Sequence, residues 1–156
     1  MSEHRAKVRW ALREGQDFPK GKYSREHSWE FDGGQTIIAS ASPTIVPIPL
    51  SNPAGVDPEE AFVASASSCH LLTFLDLARR EGHEILSYED DAAGTLAKNP
   101  AGVRWINAIT LRPRIRYREG TAPSPEAEAK LHEQAHHHCF IANSVKTEIT
   151  VQSPEE

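Results

Sequence analysis

The stretch "DPEEAFVASASSCHLLTFLDLARREG" (57–82) reads as one long helix with a cysteine in its middle. Asp57 stands at the N-cap, Pro58 at the first helical position and Glu60 three residues after the cap, a reciprocal capping pattern that fixes the start. Gly82 supplies the stop. Such a helix runs for about 24 residues and roughly 36 Å. Between Ala61 and Leu77 only Asp76 is charged, so the helix is expected to be a central one, buried on most sides. Its cysteine, Cys69, has one counterpart in the chain: Cys139, which follows His136, His137 and His138.

The segments around this helix alternate as strands do. "YSREHSWEF" (23–31) places Tyr23, Arg25, His27, Trp29 and Phe31 on one face. "DGG" (32–34) marks a hairpin turn, so "AKVRWAL" (6–12), 23–31 and "QTIIASAS" (35–42) form an antiparallel meander. Four prolines in 43–56 exclude a central strand there. That segment is also apolar, so it covers either the protein's own sheet, a partner subunit or a ligand. Two further strands are expected at 84–98 and 103–119, the second with Arg112, Arg114, Arg116 and Arg118 on a solvated face. Ser124 and Pro125 open a second helix, and "EITVQS" closes the chain as a strand. The order βββ–α–ββ–α–β indicates an α+β fold with helices on a mostly antiparallel sheet.

With 156 residues, a single domain over 1–156 is expected. The apolar fraction of 38% is low for a compact monomer and points to a core shared with a second copy. A net charge of −5 with both signs interspersed argues against nucleic acid as partner. No run of apolar residues matches the length of a membrane span, and "MSEHRAKVRW" carries no apolar signal region. The expectation is a cytoplasmic protein without a membrane partner. Two cysteines are too few for a secreted disulfide scaffold and are reactive, metal-binding or simply buried.

Two constellations could carry chemistry. "HEQAH" (132–136) sets His132 and His136 one helical turn apart with Glu133 between them, the spacing by which zinc hydrolases hold their metal. Cys69 is the other. A thiol deep in an apolar helix is inert unless a cation lies near it. Some three turns separate Cys69 from the helix N-terminus, so any cation must come from elsewhere in the fold. Read from the residues alone, Cys69 is either a small buried hydrophobe or a reactive thiol.

The stretch 57–82 strongly resembles the peroxidatic helix of the osmotically inducible protein C and organic hydroperoxide resistance family (OsmC/Ohr). "AHHHCFIANSV" (135–145) resembles that family's second motif, with Ala135, His136, Cys139 and Asn143 in the matching places. The resemblance implies an OsmC-like α+β fold in an intertwined homodimer, and a thiol-dependent peroxidase reducing organic hydroperoxides in oxidative stress defence. Cys69 would then be the peroxidatic thiolate and Cys139 the resolving thiol. Arg25, with Arg13 as fallback, would lower the pKa of Cys69, and Glu59 would hold that arginine. No cofactor or metal is implied; a dithiol reductant, lipoyl-linked in the family, would reset the pair. The absent Gly-Gly-Arg, Phe140 and His70 mark a less typical branch. Glu59 lies about 15 Å along a straight helix from Cys69 and some 80° around it. It would therefore reach the site through a helix break or across a homodimer interface. The rival readings are a zinc-dependent hydrolase built on "HEQAH" and a catalytically silent binding protein with the family fold.

Overall fold

The long helix is present: in the computed structural model, which describes residues 1–152, α1 spans Pro58–Arg80 without interruption. Its cap is the reciprocal one expected. Asp57 Oδ1 accepts from the Glu60 N–H at 2.8 Å, and Glu60 Oε1 accepts from the Asp57 N–H at 2.7 Å. Gly82, at φ +84°, takes the left-handed conformation that ends the helix. The chain divides into two compact units, Met1–Ala61 and Phe62–Glu156.

In the first unit, β1 (Ala6–Arg9), β2 (His27–Phe31) and β3 (Thr36–Ala39) form an antiparallel sheet in that order. The turn between β2 and β3 closes with the Phe31 N–H donating to Gln35 O at 2.9 Å. The strand expected to begin at Tyr23 begins only at His27. The backbone before it is spent elsewhere. The Arg25 N–H donates to Leu50 O at 2.8 Å, and Trp10 Nε1 donates to Ser24 O at 2.8 Å. The proline-rich segment is thus tied to residues 23–26. Its far end is bridged to β3, where the Val56 N–H donates to Ile38 O and the Ser40 N–H donates to Val56 O, both at 3.0 Å.

The second unit corrects the expected strands 84–98 and 103–119, each of which is broken in two. The four pieces are β4 (Ile85–Asp90), β5 (Ala93–Lys98), β6 (Arg104–Leu111) and β7 (Pro113–Tyr117). β4 pairs with β7, and β5 with β6, in separate sheets. The break has a local cause. Asp90 Oδ1 accepts from the Arg112 N–H at 2.6 Å, Arg112 donates to Asp91 O at 3.3 Å, and Pro113 has no N–H to continue the ladder. Arg112, Arg114, Arg116 and Arg118 are exposed, as the alternation required. α2 (Pro125–His138) starts at Ser124, whose hydroxyl accepts from the Ala127 N–H at 3.2 Å. A short 3-10 turn at Ala142–Ser144 leads to β8 (Glu148–Val151), which joins β6 in parallel.

Helix α1 packs along a stripe. Its buried residues are Ala66, His70, Phe74 and Ala78, four residues apart. Ala66 meets Ile109, Leu111 and Ile149 from β6 and β8, whereas Phe74 and Ala78 meet Leu131 and Ala135 of α2. The helix rides close over β5. A Cβ added at Gly94 would lie 2.6 Å from a Val63 methyl, so only glycine fits there. By length and composition α1 is apolar enough to cross a membrane; its stripe serves as a core helix, and Leu72 on another face stays 65% exposed.

Between the two helices lies a buried histidine pair that the sequence reading did not anticipate. His70 Nε2 and His132 Nδ1 are 2.9 Å apart. The residues are 1% and 9% exposed, and the His132 ring also stacks on Phe74 with centroids 4.3 Å apart. Burial pushes both imidazoles from 6.5 to about 4. For His70 the nearby His136 adds to the effect and Asp90 opposes it; for His132 the contribution of His70 adds. The unfolded chain therefore takes up protons at these positions between pH 6.5 and 4 while the folded chain does not, so stability falls as pH falls through that window. The melting temperature from circular dichroism should decline more steeply between pH 7 and 4.5 for the wild type than for His70→Phe/His132→Leu. Parallel slopes would show that the pair does not titrate this way.

Candidate functional site

The last turn of α2 delivers Cys139. It is the C-cap residue, its N–H bonding back to His136 O, and its side chain is 1% exposed. Asn143 shapes the chain around it. The Asn143 side-chain amide donates to His137 O and Cys139 O, each at 2.9 Å, and its backbone N–H donates to Cys139 O at 3.1 Å. The motif asparagine is therefore a clamp on the cysteine turn, a role the sequence reading left unassigned. Tightening of the chain into the 3-10 turn aims the Ala142 N–H at Cys139 Sγ, 3.4 Å away.

Cys69 is half-buried on α1, two residues beyond Ser67, whose hydroxyl donates to Asp90. Asp90 thus holds both the helix beside Cys69 and the strand corner at Arg112. The two cysteines, seventy positions apart in sequence, are close enough for Cys69 to perturb the Cys139 thiol. Burial raises the Cys139 thiol above its ordinary value, and the neighbouring Cys69 raises it further; the backbone N–H groups of Ala142 and Ile141 act the other way. Both cysteines are free thiols in this structure.

The expected arginine and glutamate belong to the first unit. Arg25 donates from one guanidinium nitrogen to Gly21 O at 2.9 Å and Tyr23 O at 2.6 Å, and its guanidinium lies 3.7 Å from the Tyr23 ring centroid. Among the described residues it forms no ion pair with a carboxylate. The fallback, Arg13, is instead neutralised by Glu26, whose carboxyl is held below the usual range by Asn52 and Arg13 together. Glu59 likewise has no ion-pair partner among the described residues, and the unbroken α1 removes a helix break as its route to Cys69. Arg25 borders an apolar cavity of about 550 Å³ walled by Val8, Trp10, Phe18, Tyr23, His27, Ala41 and Pro58. Trp10, Phe18 and Tyr23 pack there as one aromatic group, with centroids 4.7 to 5.8 Å apart.

The "HEQAH" residues do not converge. His132 points into the core toward His70, while Glu133 and His136 face solvent. Among the described residues no three histidine, cysteine or acidic side chains cluster as a metal site would require. The inward orientation was legible from period. His132 stands three residues before Ala135 and seven before Cys139, on the buried side of α2.

What the thiol pair can do is two-electron redox chemistry, in which one sulfur is oxidised and the other closes a bond to it. The family description OsmC-like protein matches residues 51–153. An OsmC-like protein of unknown function from Vibrio cholerae is 47% identical, with a TM-score of 0.96 over 99% of this chain and 100% of that one. An organic hydroperoxide resistance protein from Legionella pneumophila has a TM-score of 0.70 at 14% identity, covering 98% and 96% of the two chains. A Bacillus subtilis organic hydroperoxide resistance protein has a TM-score of 0.68 at 16% identity, covering 98% of each. No curated protein matches the chain. The α+β fold, the two cysteine motifs and these likenesses agree: this chain belongs to the OsmC-like protein family.

Proposed function

We propose that the protein is a thiol-dependent peroxidase that reduces organic hydroperoxides in peroxide defence. The observation that carries this reading is that the fold brings the two free cysteines, Cys69 and Cys139, together as neighbours. Membership of the OsmC-like family and the structural likeness to organic hydroperoxide resistance proteins support a peroxide-defence role.

The thiolate of Cys69 attacks the terminal peroxide oxygen. The O–O bond breaks, sulfur gives up two electrons, Cys69 becomes a sulfenic acid and the alkoxide leaves to be protonated as the alcohol. The Cys139 sulfur then attacks the sulfenic sulfur, expelling water and forming the Cys69–Cys139 disulfide. A dithiol of the lipoyl class reduces it back, leaving as its own cyclic disulfide. Cys69 is the more accessible sulfur and Cys139 is 1% exposed, so the reductant attacks Cys69 and Cys139 departs. The Ala142 N–H beside Cys139 Sγ stabilises that leaving sulfur. The cytosol, where such dithiols are kept reduced, is the proposed compartment.

Arg25 is the proposed guanidinium that favours the Cys69 thiolate and the departing alkoxide. Its lack of an ion pair among the described residues supports this choice over Arg13, and the aromatic cavity beside it suits an apolar hydroperoxide tail. Glu59 is proposed to hold the arginine of a second copy in a homodimer. The apolar faces left open in one chain favour such an assembly: Leu72 on α1, Ile45 and Ile48 in the proline-rich segment, and Phe140, which is 83% exposed.

Stopped-flow oxidation of the reduced protein by cumene hydroperoxide tests the assignment. Cys69→Ser should consume no peroxide, whereas Cys139→Ser should complete one rapid turnover and stop as a sulfenic acid. Undiminished turnover in Cys69→Ser would refute the reading. Arg25→Ala should slow sulfenic acid formation by about a hundredfold, the scale for losing one donor to a developing oxyanion. An equal loss in Arg13→Ala with none in Arg25→Ala would reassign the guanidinium.

A further inference from the structure

We propose that the His70–His132 hydrogen bond is the positioning device that holds Cys139 in register against Cys69. The inference rests on the reading that the two cysteines work as a pair, and it assigns a role to two residues outside the reacting atoms.

Connectivity comes first. His70 is the residue after Cys69 on α1. His132 precedes Cys139 by seven residues on α2, about two turns, which returns to within roughly 20° of the same face. A fixed contact at His132 therefore sets both the height and the rotation at which α2 presents Cys139. Among the described residues, this is the one side-chain hydrogen bond between α1 and α2.

The rest of the helix contact does not set register. It consists of Phe74, Ala78, Leu131 and Ala135, and apolar burial of this kind has no direction. A slip of one residue would move Cys139 by about 1.5 Å along the axis and 100° around it, enough to lose the narrow geometry a disulfide demands. The N–H···N bond is directional, and the packing of His132 makes it more so. Its ring is held between His70, with centroids 5.3 Å apart and planes 13° from parallel, and Phe74, with planes 27° from parallel. One turn of α1 thus grips His132 at two points. Both rings are neutral at pH 7, as an N–H···N bond requires: one donates and the other accepts.

The experiment reads the thiol pair without peroxide. The reduced protein is equilibrated with glutathione and glutathione disulfide. Here two protein thiols reduce one glutathione disulfide to two glutathiones and close the Cys69–Cys139 bond. His132→Leu should lower that equilibrium constant at least tenfold while remaining folded by circular dichroism. His132→Asn, which places an amide near the position of Nδ1, should recover most of it. A folded His132→Leu protein within twofold of the wild type would overturn the proposal. Should His132→Leu not fold, His132→Asn and His132→Gln decide, since Gln puts its amide one bond too far. Equal constants for the two would overturn the proposal, and a lower constant for Gln would support it. A wild type that closes this disulfide yet consumes no hydroperoxide would refute the peroxidase reading alone, with the glutathione equilibrium still deciding the role of the histidines.

Discussion

Two helices must meet at one height for this molecule to have a site at all. Cys69 lies in the middle of α1 and Cys139 at the very end of α2, and the two cysteines can pair only while those helices keep their register. Much of the second unit serves that constraint. Ser67 and Asp90 hold α1 to the strand corner, and Tyr117 of β7 donates to Glu128 of α2 at 2.9 Å. Asn143 closes the chain around Cys139. Each tie joins an element bearing a cysteine, or flanking one, to its surroundings.

The electrostatics of the pair are asymmetric. Cys139 is buried and its thiol is raised above the ordinary value, while Cys69 is half-buried, so the two sulfurs are unequal before any oxidant arrives. In the proposed cycle the same asymmetry would serve the return half, with the half-buried sulfur meeting the reductant and the buried one leaving toward a backbone N–H. A thiol that is a poor nucleophile because it is buried can still be a good resolving group, because proximity replaces reactivity.

Much of this was legible in the sequence, and the remainder failed for identifiable reasons. The capping pair Asp57 and Glu60, the stop at Gly82 and the start at Ser124 are local signals, and all three held. The α+β class followed from element order. What local pattern could not show was the corner at Asp90 and Arg112. There an unbroken alternation of residues is cut by a side chain twenty-two positions away. His70 and His132 were missed for a similar reason. Each looked unremarkable on its own helix, as a neighbour of a cysteine or as half of a zinc motif, and only the packing of α1 on α2 reveals them as partners. The two cysteine motifs were readable because each is a short fixed spacing. Arg25 and Arg13 could not be told apart in the sequence, because the pairing of Arg13 with Glu26 joins residues thirteen positions apart.

The central claim is that one organic hydroperoxide molecule converts this thiol pair into an internal bond. Peptide mass spectrometry after adding one equivalent of cumene hydroperoxide to the fully reduced protein tests it most directly. The account predicts a loss of two hydrogens per chain and a cross-linked peptide joining Cys69 to Cys139 of the same chain. Recovery of both cysteines as unmodified thiols, or of Cys69 as a sulfinic acid with Cys139 untouched, would contradict it.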